Sequence, residues 1–257
     1  MPTRWALHFT KEYEEWVRAG GIENNFRAHA LAIGLAQPSL DDFTFIQEQV
    51  CIASRQVEQV WQHLLAANPG YSRKTPRTGL GADISYLAGE IDADFVDMLV
   101  KQNIDLVIVG LQNLDLAEQQ IAMLQRQQLQ VHTYVWVGNK ELDTYLPEVY
   151  RLMSEFHLST IWVDVELNNV NVRHAINRLW GHADYTVGIY TSKYMWDKFM
   201  DNTNDYCSYP LWYARYDEHP DMADFIPFGG WTVPTAKQYS SLNPRYDLNV
   251  YNVALMP

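Results

Sequence analysis

Two carboxylates stand two residues apart at the end of a short apolar run, Thr160–Glu166, which reads TIWVDVE. In a β-strand successive side chains point to opposite faces, so Asp164 and Glu166 would share one face. Their mutual repulsion and a low-dielectric wall would raise one pKa, which leaves a proton donor beside an anion. Hydrolysis of a glycosidic bond uses such a pair. A strand that simply ends in acidic loop residues would have the same sequence pattern. Asp164 and Glu166 alone therefore do not establish a catalytic pair.

The charge of the chain is concentrated in its second part. Of the 257 residues, 47% are hydrophobic, which is enough for a sizeable core. Residues 1–80 hold 8 basic and 8 acidic side chains, whereas residues 81–257 hold 11 and 23, so the net charge of −12 lies wholly in the second part. A surface this acidic argues against nucleic acid and against anionic membranes as partners. No apolar run approaches membrane-spanning length.

Cysteine usage indicates no cofactor chemistry. Cys51 and Cys207 are the two cysteines of the chain, and they lie far apart, without a disulfide framework or a metal-ligand spacing. We therefore expect neither a metal site nor a cofactor. The two thiols are predicted to be idle, with a single bridge left open.

The first 67 residues are predicted to form an all-helical N-terminal module. Short helices are expected over 10–19 and 22–36, and a longer amphipathic helix with one apolar stripe runs to about residue 67. Because that stripe must be covered, we expect the module to mediate self-association or targeting. Residues 68–80, rich in Pro, Gly and basic side chains, are predicted to be a linker.

From residue 81 the chain alternates five times between a short apolar strand and a helix. This rhythm is typical of a parallel sheet with helical crossovers, and five units favour a barrel. Three further strands follow without helices between them. The predicted fold class is therefore α/β, a TIM-like (β/α)5(β)3 barrel over residues 81–257 with an N-terminal all-helical extension. The predicted strands are 82–85, 105–109, 131–137, 160–166, 186–191, 211–216, 231–239 and 247–251.

Six motifs lie at these strand ends, in the order of the chain. They are Gly81-Ala82-Asp83-Ile84-Ser85 with Gly89-Glu90-Ile91-Asp92, Asp164-Val165-Glu166, Gly188-Ile189-Tyr190-Thr191-Ser192, Leu211-Trp212-Tyr213-Ala214-Arg215-Tyr216, Lys237-Gln238-Tyr239 and Asp247-Leu248-Asn249. Together they resemble glycoside hydrolase family 25, the Chalaropsis-type lysozymes. The resemblance covers about residues 81–252, and residues 1–80 lie outside it.

The resemblance implies a muramidase, which cleaves the β-1,4 bond between N-acetylmuramic acid and N-acetylglucosamine in bacterial peptidoglycan with net retention. It implies Glu166 as general acid/base. Asp164 would stabilise the cationic intermediate or orient the substrate's 2-acetamido group. Asp83 and Asp247 would tune Glu166 and hold the substrate. Clustered carboxylates at the carboxyl ends of barrel strands agree with that reading.

The polar and aromatic residues near these acids are candidates for substrate binding, because an apolar sugar face can stack on an aromatic ring. For each aromatic, packing inside the barrel is the alternative. His132 shares a strand face with Tyr134, so it either reaches the cleft or is buried. The candidates are Tyr134, Trp136, Tyr190, Trp212, Gln238, Tyr239 and Asn249.

Two departures from the family pattern concern the edge of the cleft. Ala88 stands where Gln is frequent, and Gly110-Leu111-Gln112 replaces a frequent Thr-Glu-Gly turn. Two other functions therefore stay open: a catalytically silent glycan- or wall-binding barrel, and a hydrolase of chitin-like N-acetylglucosamine polymers. A protein that acts on cell walls is expected outside the cell, in a vacuole or after lysis, although the N-terminus lacks the apolar core of a signal peptide.

Overall fold

The computed structural model describes residues 77–136, 142–166, 172–180 and 185–257. Eight strands within these ranges close into one barrel in chain order. Neighbours from β1 to β7 are parallel, and β8 pairs antiparallel with both β7 and β1. The predicted α/β barrel is thus confirmed. The strands are β1 Thr78–Ile84, β2 Ile104–Gly110, β3 Gln130–Trp136, β4 Thr160–Asp164, β5 Thr186–Thr191, β6 Leu211–Ala214, β7 Ala236–Ser240 and β8 Asp247–Asn252.

Five α-helices follow the first five strands in the described part of the chain. Three of them begin where a polar side chain accepts a hydrogen bond from the first helical turn: Asp92 caps α1, Asn113 caps α2 and Ser192 caps α5. The helices are α1 Ala93–Lys101, α2 Leu114–Arg126, α3 Leu142–Glu155, α4 Val172–Trp180 and α5 Lys193–Met200. β1 begins four residues before the predicted strand, so Thr78–Leu80, which the sequence assigns to the linker, belong to the barrel.

Strand alternation separates two buried layers. Outward-facing aliphatic residues of the first five strands pack under the helices. Inward-facing residues fill the barrel with aromatic rings, and Trp212 lies among them, its ring centre 4.4 Å from that of Tyr190 and 5.8 Å from that of Trp162. Gly188 on β5 leaves room for Trp162, because a Cβ built there would lie 2.3 Å from the indole ring. The barrel is therefore a packed core with an opening at the carboxyl ends of the parallel strands.

The connection from β6 to β7 contains no helix, and a buried lysine holds its first half. Lys237 points out of the barrel, and its Nζ donates to Asp217 Oδ2 at 2.8 Å and to the carbonyls of His219 and Asp221 at 3.1 and 3.0 Å. The side chain of Lys237 is 0% exposed, yet its three N–H groups are all paired. Lys237 thus holds this loop against β7, whereas a helix follows each of the first five strands.

The predicted helices of residues 1–67, and Cys51 with them, lie outside the described residues. Cys207 is disulfide-bonded, so the expectation of idle thiols is wrong for it. None of the helices in the described ranges combines the length and the apolar character that crossing a membrane requires.

Candidate active site

The barrel topology brings four carboxylates to one end. Asp83 lies near the end of β1, Asp164 ends β4 and Glu166 follows two residues later. Asp247 starts β8, and because β8 runs antiparallel to β1, its first residue lies at the same end. All four side chains line one cavity of about 150 Å³, whose other lining residues are Tyr134, Tyr190, Trp212, Tyr216, Gln238.

Asp164 and Glu166 both have pKa values above the ordinary range. Burial, followed by the charges of Glu166 and Asp83, raises the pKa of Asp164 well above its usual value. Burial also raises the pKa of Glu166, and the Tyr190 hydroxyl opposes that rise. Asp164 Oδ1 is buried without a hydrogen-bond partner. The cavity thus favours the protonated form of both carboxyl groups, and it holds a buried oxygen that can still accept a hydrogen bond.

Asp83 is the most completely hydrogen-bonded carboxylate of the four. Its Oδ1 accepts from Asn249 Nδ2 at 2.7 Å and from Gln238 Nε2 at 2.8 Å. Burial first, and then the charge of Asp247, raise the pKa of Asp83 to about 7 although both hydrogen bonds oppose the rise. Burial and the charge of Glu166 raise the pKa of Asp247 to about 6. The site therefore takes up protons between about pH 7 and pH 6.

Gln238 joins the carboxylates to two tyrosines, and each of its hydrogen-bonding positions is filled. Its Nε2 donates to Asp83 and, at 3.1 Å, to Asp247 Oδ2. Its Oε1 accepts from the hydroxyls of Tyr190 at 2.6 Å and Tyr216 at 2.8 Å. A glutamine side chain has two donors and two lone pairs, so none is left for a sugar.

Asn249 and Trp212 form a second buried support for Asp83. The indole Nε1 of Trp212 donates to Asn249 Oδ1 at 2.8 Å, and Asn249 in turn donates to Asp83. Trp212 is 1% exposed and Asn249 is 2% exposed. These two residues and Gln238 were predicted as substrate-binding residues, but their burial and pairing favour a role in orienting the carboxylates.

A wider groove of about 970 Å³ opens beside the acid cavity. Asp164, Glu166 and Tyr134 line both spaces, so the carboxylates form the boundary between them. Predicted aromatic ligands are divided accordingly: Trp136 lines the groove and Tyr190 lines the acid cavity. The remaining lining residues of the groove are Ser85, Tyr86, Leu87, Leu111, Gln112, Asn113, Leu114, Asp115, Tyr145 and Glu148.

The predicted ligand Tyr239 lies elsewhere, and so does His132, for which the sequence left burial and the cleft both open. Tyr239 is adjacent to the inward-facing Gln238 on β7, so it faces away from the barrel interior, and it lines neither space. His132 is 1% exposed and also lines neither, and burial lowers its pKa to about 4. Ala88 is buried in the outer core, whereas Gln112 does line the groove. The altered family positions that line the groove are therefore Leu111 and Gln112.

Tyr216 is the cavity residue to which sequence reasoning gave no role. It ends the predicted strand 211–216, in which alternation puts it on the same face as Trp212, although β6 itself ends at Ala214. The available signal was its place two residues after the β6 strand end, where a side chain of a parallel strand can reach the barrel mouth. Within the described ranges, no cluster of three or more His, Cys, Asp or Glu side chains is arranged to hold a metal ion.

Comparison with known proteins gives a consistent set of relatives. A family model described as "Lysozyme-like protein 1" matches residues 119–239. The chain is 39% identical over 141 residues to "Probable GH family 25 lysozyme 4" of Dictyostelium discoideum, which covers 44% of this chain and 66% of that protein. It is 42% identical over 69 residues to "Probable GH family 25 lysozyme 2" of the same organism, which covers 25% of this chain and 32% of the relative.

A further relative has a name that states no enzymatic activity. "Counting factor 50" of Dictyostelium discoideum is 36% identical over 95 residues, which covers 32% of this chain and 31% of that protein. The chain thus matches about a third of the length of this protein and of lysozyme 2. No solved structure matches the chain.

Proposed function

Because this chain belongs to the glycoside hydrolase family 25 type of lysozymes, we propose that it is a retaining N-acetylmuramidase acting on bacterial peptidoglycan. The observation that carries the proposal is the convergence of Asp83, Asp164, Glu166 and Asp247 on one cavity beside a groove wide enough for a sugar chain. Hydrolysis of a glycosidic bond requires a carboxylic acid with a raised pKa beside a second carboxyl group that acts in its ionised form.

Glu166 is the proposed general acid/base. It lies on the boundary between cavity and groove, it is the less buried member of the Asp164–Glu166 pair, and its pKa is raised. In the first step its proton passes to the glycosidic oxygen as the bond from that oxygen to C1 breaks. In the second step water attacks the intermediate at C1 from the side that the leaving oxygen occupied, and Glu166 takes a proton from this water. The acid is restored, and two successive displacements at C1 give net retention.

Asp164 is the proposed partner of the reacting sugar ring. Two carboxyl groups this close do not both ionise easily, but positive charge developing at C1 favours the ionised form of Asp164. Its unpaired Oδ1 supports a second contact, because a buried acceptor without a partner costs free energy that a donor recovers. The N–H of a 2-acetamido group is such a donor.

Asp83 and Asp247 are proposed to influence the protonation of the Asp164–Glu166 pair. The negative charge of Glu166 raises the pKa of both, so the protonation of Glu166 and that of these two carboxyls are linked.

The groove supplies the substrate contacts on one side, through the rings of Tyr134 and Trp136. Peptidoglycan, a neutral-backbone polysaccharide with amino sugars, fits these features.

The competing function is a glycan- or wall-binding protein without catalysis. The altered groove positions Leu111 and Gln112 are the observation that favours it. Four intact carboxylates with raised pKa values support the enzyme instead. A hydrolase of chitin-like polymers would use the same Asp164–Glu166 pair, and the two substrates differ in the sugar that receives the new reducing end.

Digestion of purified peptidoglycan, followed by reduction and mass spectrometry of the products, tests the proposal. New muramic acid reducing ends are expected. Glucosamine reducing ends, or faster cleavage of chitin oligosaccharides in a parallel reaction, would replace the muramidase with the chitin-like hydrolase. Binding to the same peptidoglycan without any new reducing ends would establish the silent glycan-binding barrel.

A further inference from the structure

Tyr216 combines an anchored hydroxyl with an exposed ring. The hydroxyl donates to Gln238 Oε1 at 2.8 Å and lies 3.4 Å from the Tyr190 hydroxyl. The residue is nevertheless 54% exposed, although it lines the acid cavity. Because the polar end is engaged inside the protein, what Tyr216 offers to a ligand is its apolar ring.

The backbone on both sides of Tyr216 is fixed to β7. Arg215 N donates to the carbonyl of Gln238 at 2.9 Å, and Glu218 N donates to the carbonyl of Tyr239 at 3.0 Å. The next residue, Asp217, accepts from the buried ammonium of Lys237. An aromatic ring held this way has little conformational entropy to lose when a ligand packs on it.

The position of Tyr216 relative to the carboxylates defines which part of a ligand it can reach. Asp164 and Glu166 line both the groove and the acid cavity, whereas Tyr216 and Asp247 line the acid cavity alone. A sugar chain that enters along the groove and crosses Glu166 therefore continues towards Tyr216. The groove and Tyr216 would contact sugars on opposite sides of the bond that is cleaved.

We propose that the ring of Tyr216 is a second sugar-binding surface, which stacks against an N-acetylated hexosamine ring on the far side of the carboxylates from the groove. The chemical class follows from the surface itself: the C–H face of a pyranose buries area against an aromatic ring without needing the hydroxyl. This inference rests on the proposed function for the identity of the glycan, and on the geometry alone for the place where it binds.

Binding of peptide-free glycan strands from peptidoglycan, measured by calorimetry in a Glu166→Gln background, tests the surface without cleavage. Removal of the ring in Tyr216→Ala is expected to weaken binding about tenfold, whereas Tyr216→Phe, which keeps the ring, should stay within about threefold. Tyr194→Ala is the matched control, because Tyr194 on α5 is 64% exposed and lines neither space. It should bind as the parent does.

The outcomes separate this inference from the proposed function. Unchanged binding in Tyr216→Ala overturns the surface, and so does an equal loss in Tyr216→Phe, which would assign the effect to the hydroxyl network. If Tyr216→Ala weakens binding but the protein with intact Glu166 cleaves no peptidoglycan, the sugar-binding surface is supported and the muramidase function is contradicted. If the parent protein binds no glycan at all, both the sugar-binding surface and the muramidase function are contradicted.

With the catalytic residues intact, the same variants give a second measurement. Tyr216→Ala should raise KM about tenfold and leave kcat within about twofold, since a contact made equally in the ground state and the transition state changes KM alone. A fall in kcat at constant KM would show that Tyr216 acts on the carboxylates through Gln238 and would overturn the stacking role.

Discussion

Asp83 and Asp247 lie directly opposite each other across the antiparallel pair of β1 and β8. Opposite residues of an antiparallel pair point to the same face with Cβ atoms about 5 Å apart, and like charges there destabilise the pair. The side-chain nitrogen of Gln238 donates to both carboxylates. The barrel is thus closed at a position where two acids face each other, with one amide between them.

The first prediction concerns stability and pH. The pKa of Asp83 rises on folding from 3.8 to about 7, so its stabilising contribution is complete below about pH 4 and is lost as the pH rises through 7. Asp83→Asn keeps the accepting oxygen and removes the charge. The free energy of unfolding of this variant, relative to that of the parent, should increase by about 2 to 3 kcal/mol from pH 5 to pH 8. Urea denaturation at both pH values measures it.

The comparison with the parent is needed because His132 acts in the opposite direction. Burial lowers its pKa to about 4, so the parent gains stability from His132 as the pH rises from about 4 to 6.5. That contribution cancels in the difference between the two proteins. A gain that is the same at pH 5 and pH 8 would contradict the raised pKa of Asp83.

The second prediction concerns Glu166. Glu166→Gln keeps the shape of the side chain and removes the transferable proton, so kcat on peptidoglycan should fall at least about a hundredfold. Glu155→Gln is the matched control, because Glu155 is an exposed residue of α3 that pairs with Arg151 and lines neither space. Near-normal turnover in Glu166→Gln would remove Glu166 from its assigned role.

The third prediction concerns the alkaline limb of the pH–rate profile. The Tyr190 hydroxyl lowers the pKa of Glu166. In Tyr190→Phe the pKa of Glu166 should therefore rise, and the alkaline limb of kcat/KM should move to higher pH. Tyr150→Phe, which loses a hydroxyl bonded to the Arg178 carbonyl on the outside of the barrel, should leave the profile in place. A downward shift in Tyr190→Phe would contradict this reading.

The fourth prediction separates positioning from sugar binding at Gln238. Gln238→Met keeps the volume but removes the donors to Asp83 and Asp247, whose pKa values should then rise further. We expect kcat to fall about tenfold with an altered pH profile and KM to stay within about twofold. Gln125→Met, at a glutamine exposed on α2, is the control. A raised KM at unchanged kcat would show instead that Gln238 binds the substrate.

The fifth prediction concerns packing between β4 and β5. Gly188→Ala places a Cβ within 2.3 Å of the Trp162 ring, and Trp162 is 0% exposed and cannot move aside. The variant should lose about 2 kcal/mol or more in free energy of unfolding. Adding Trp162→Phe, a smaller ring, should recover part of that loss relative to Trp162→Phe alone. Additive effects of the two substitutions would show that they do not touch.

The pairing of Asp164 and Glu166 was predictable from the sequence because strand alternation is a local property. Asp83 and Asp247 were assigned through the resemblance of their motifs to glycoside hydrolase family 25. Five strand–helix repeats were likewise sufficient to predict the barrel, since each repeat has its own apolar period.

The supporting contacts were not predictable, because they join residues distant in the chain. Gln238 meets Asp83 across 155 positions, and no pattern around either residue shows that its hydrogen bonds are already made. Lys237 is a basic residue in a short strand, for which exposure is the usual expectation. Its burial depends on carbonyl groups of the preceding loop, and the conformation of that loop has no periodic signal.

The antiparallel closure between β1 and β8 also determines when the site comes into existence. Asp83 is translated early, whereas Gln238 and Asn249, which hold it, come from the last two strands. Contacts between residues so far apart form late and slowly, since the whole intervening chain must be ordered first. A chain emerging from the ribosome therefore carries an unassembled set of acids until its final strand is released, so the hydrolytic centre is the last part of the barrel to mature.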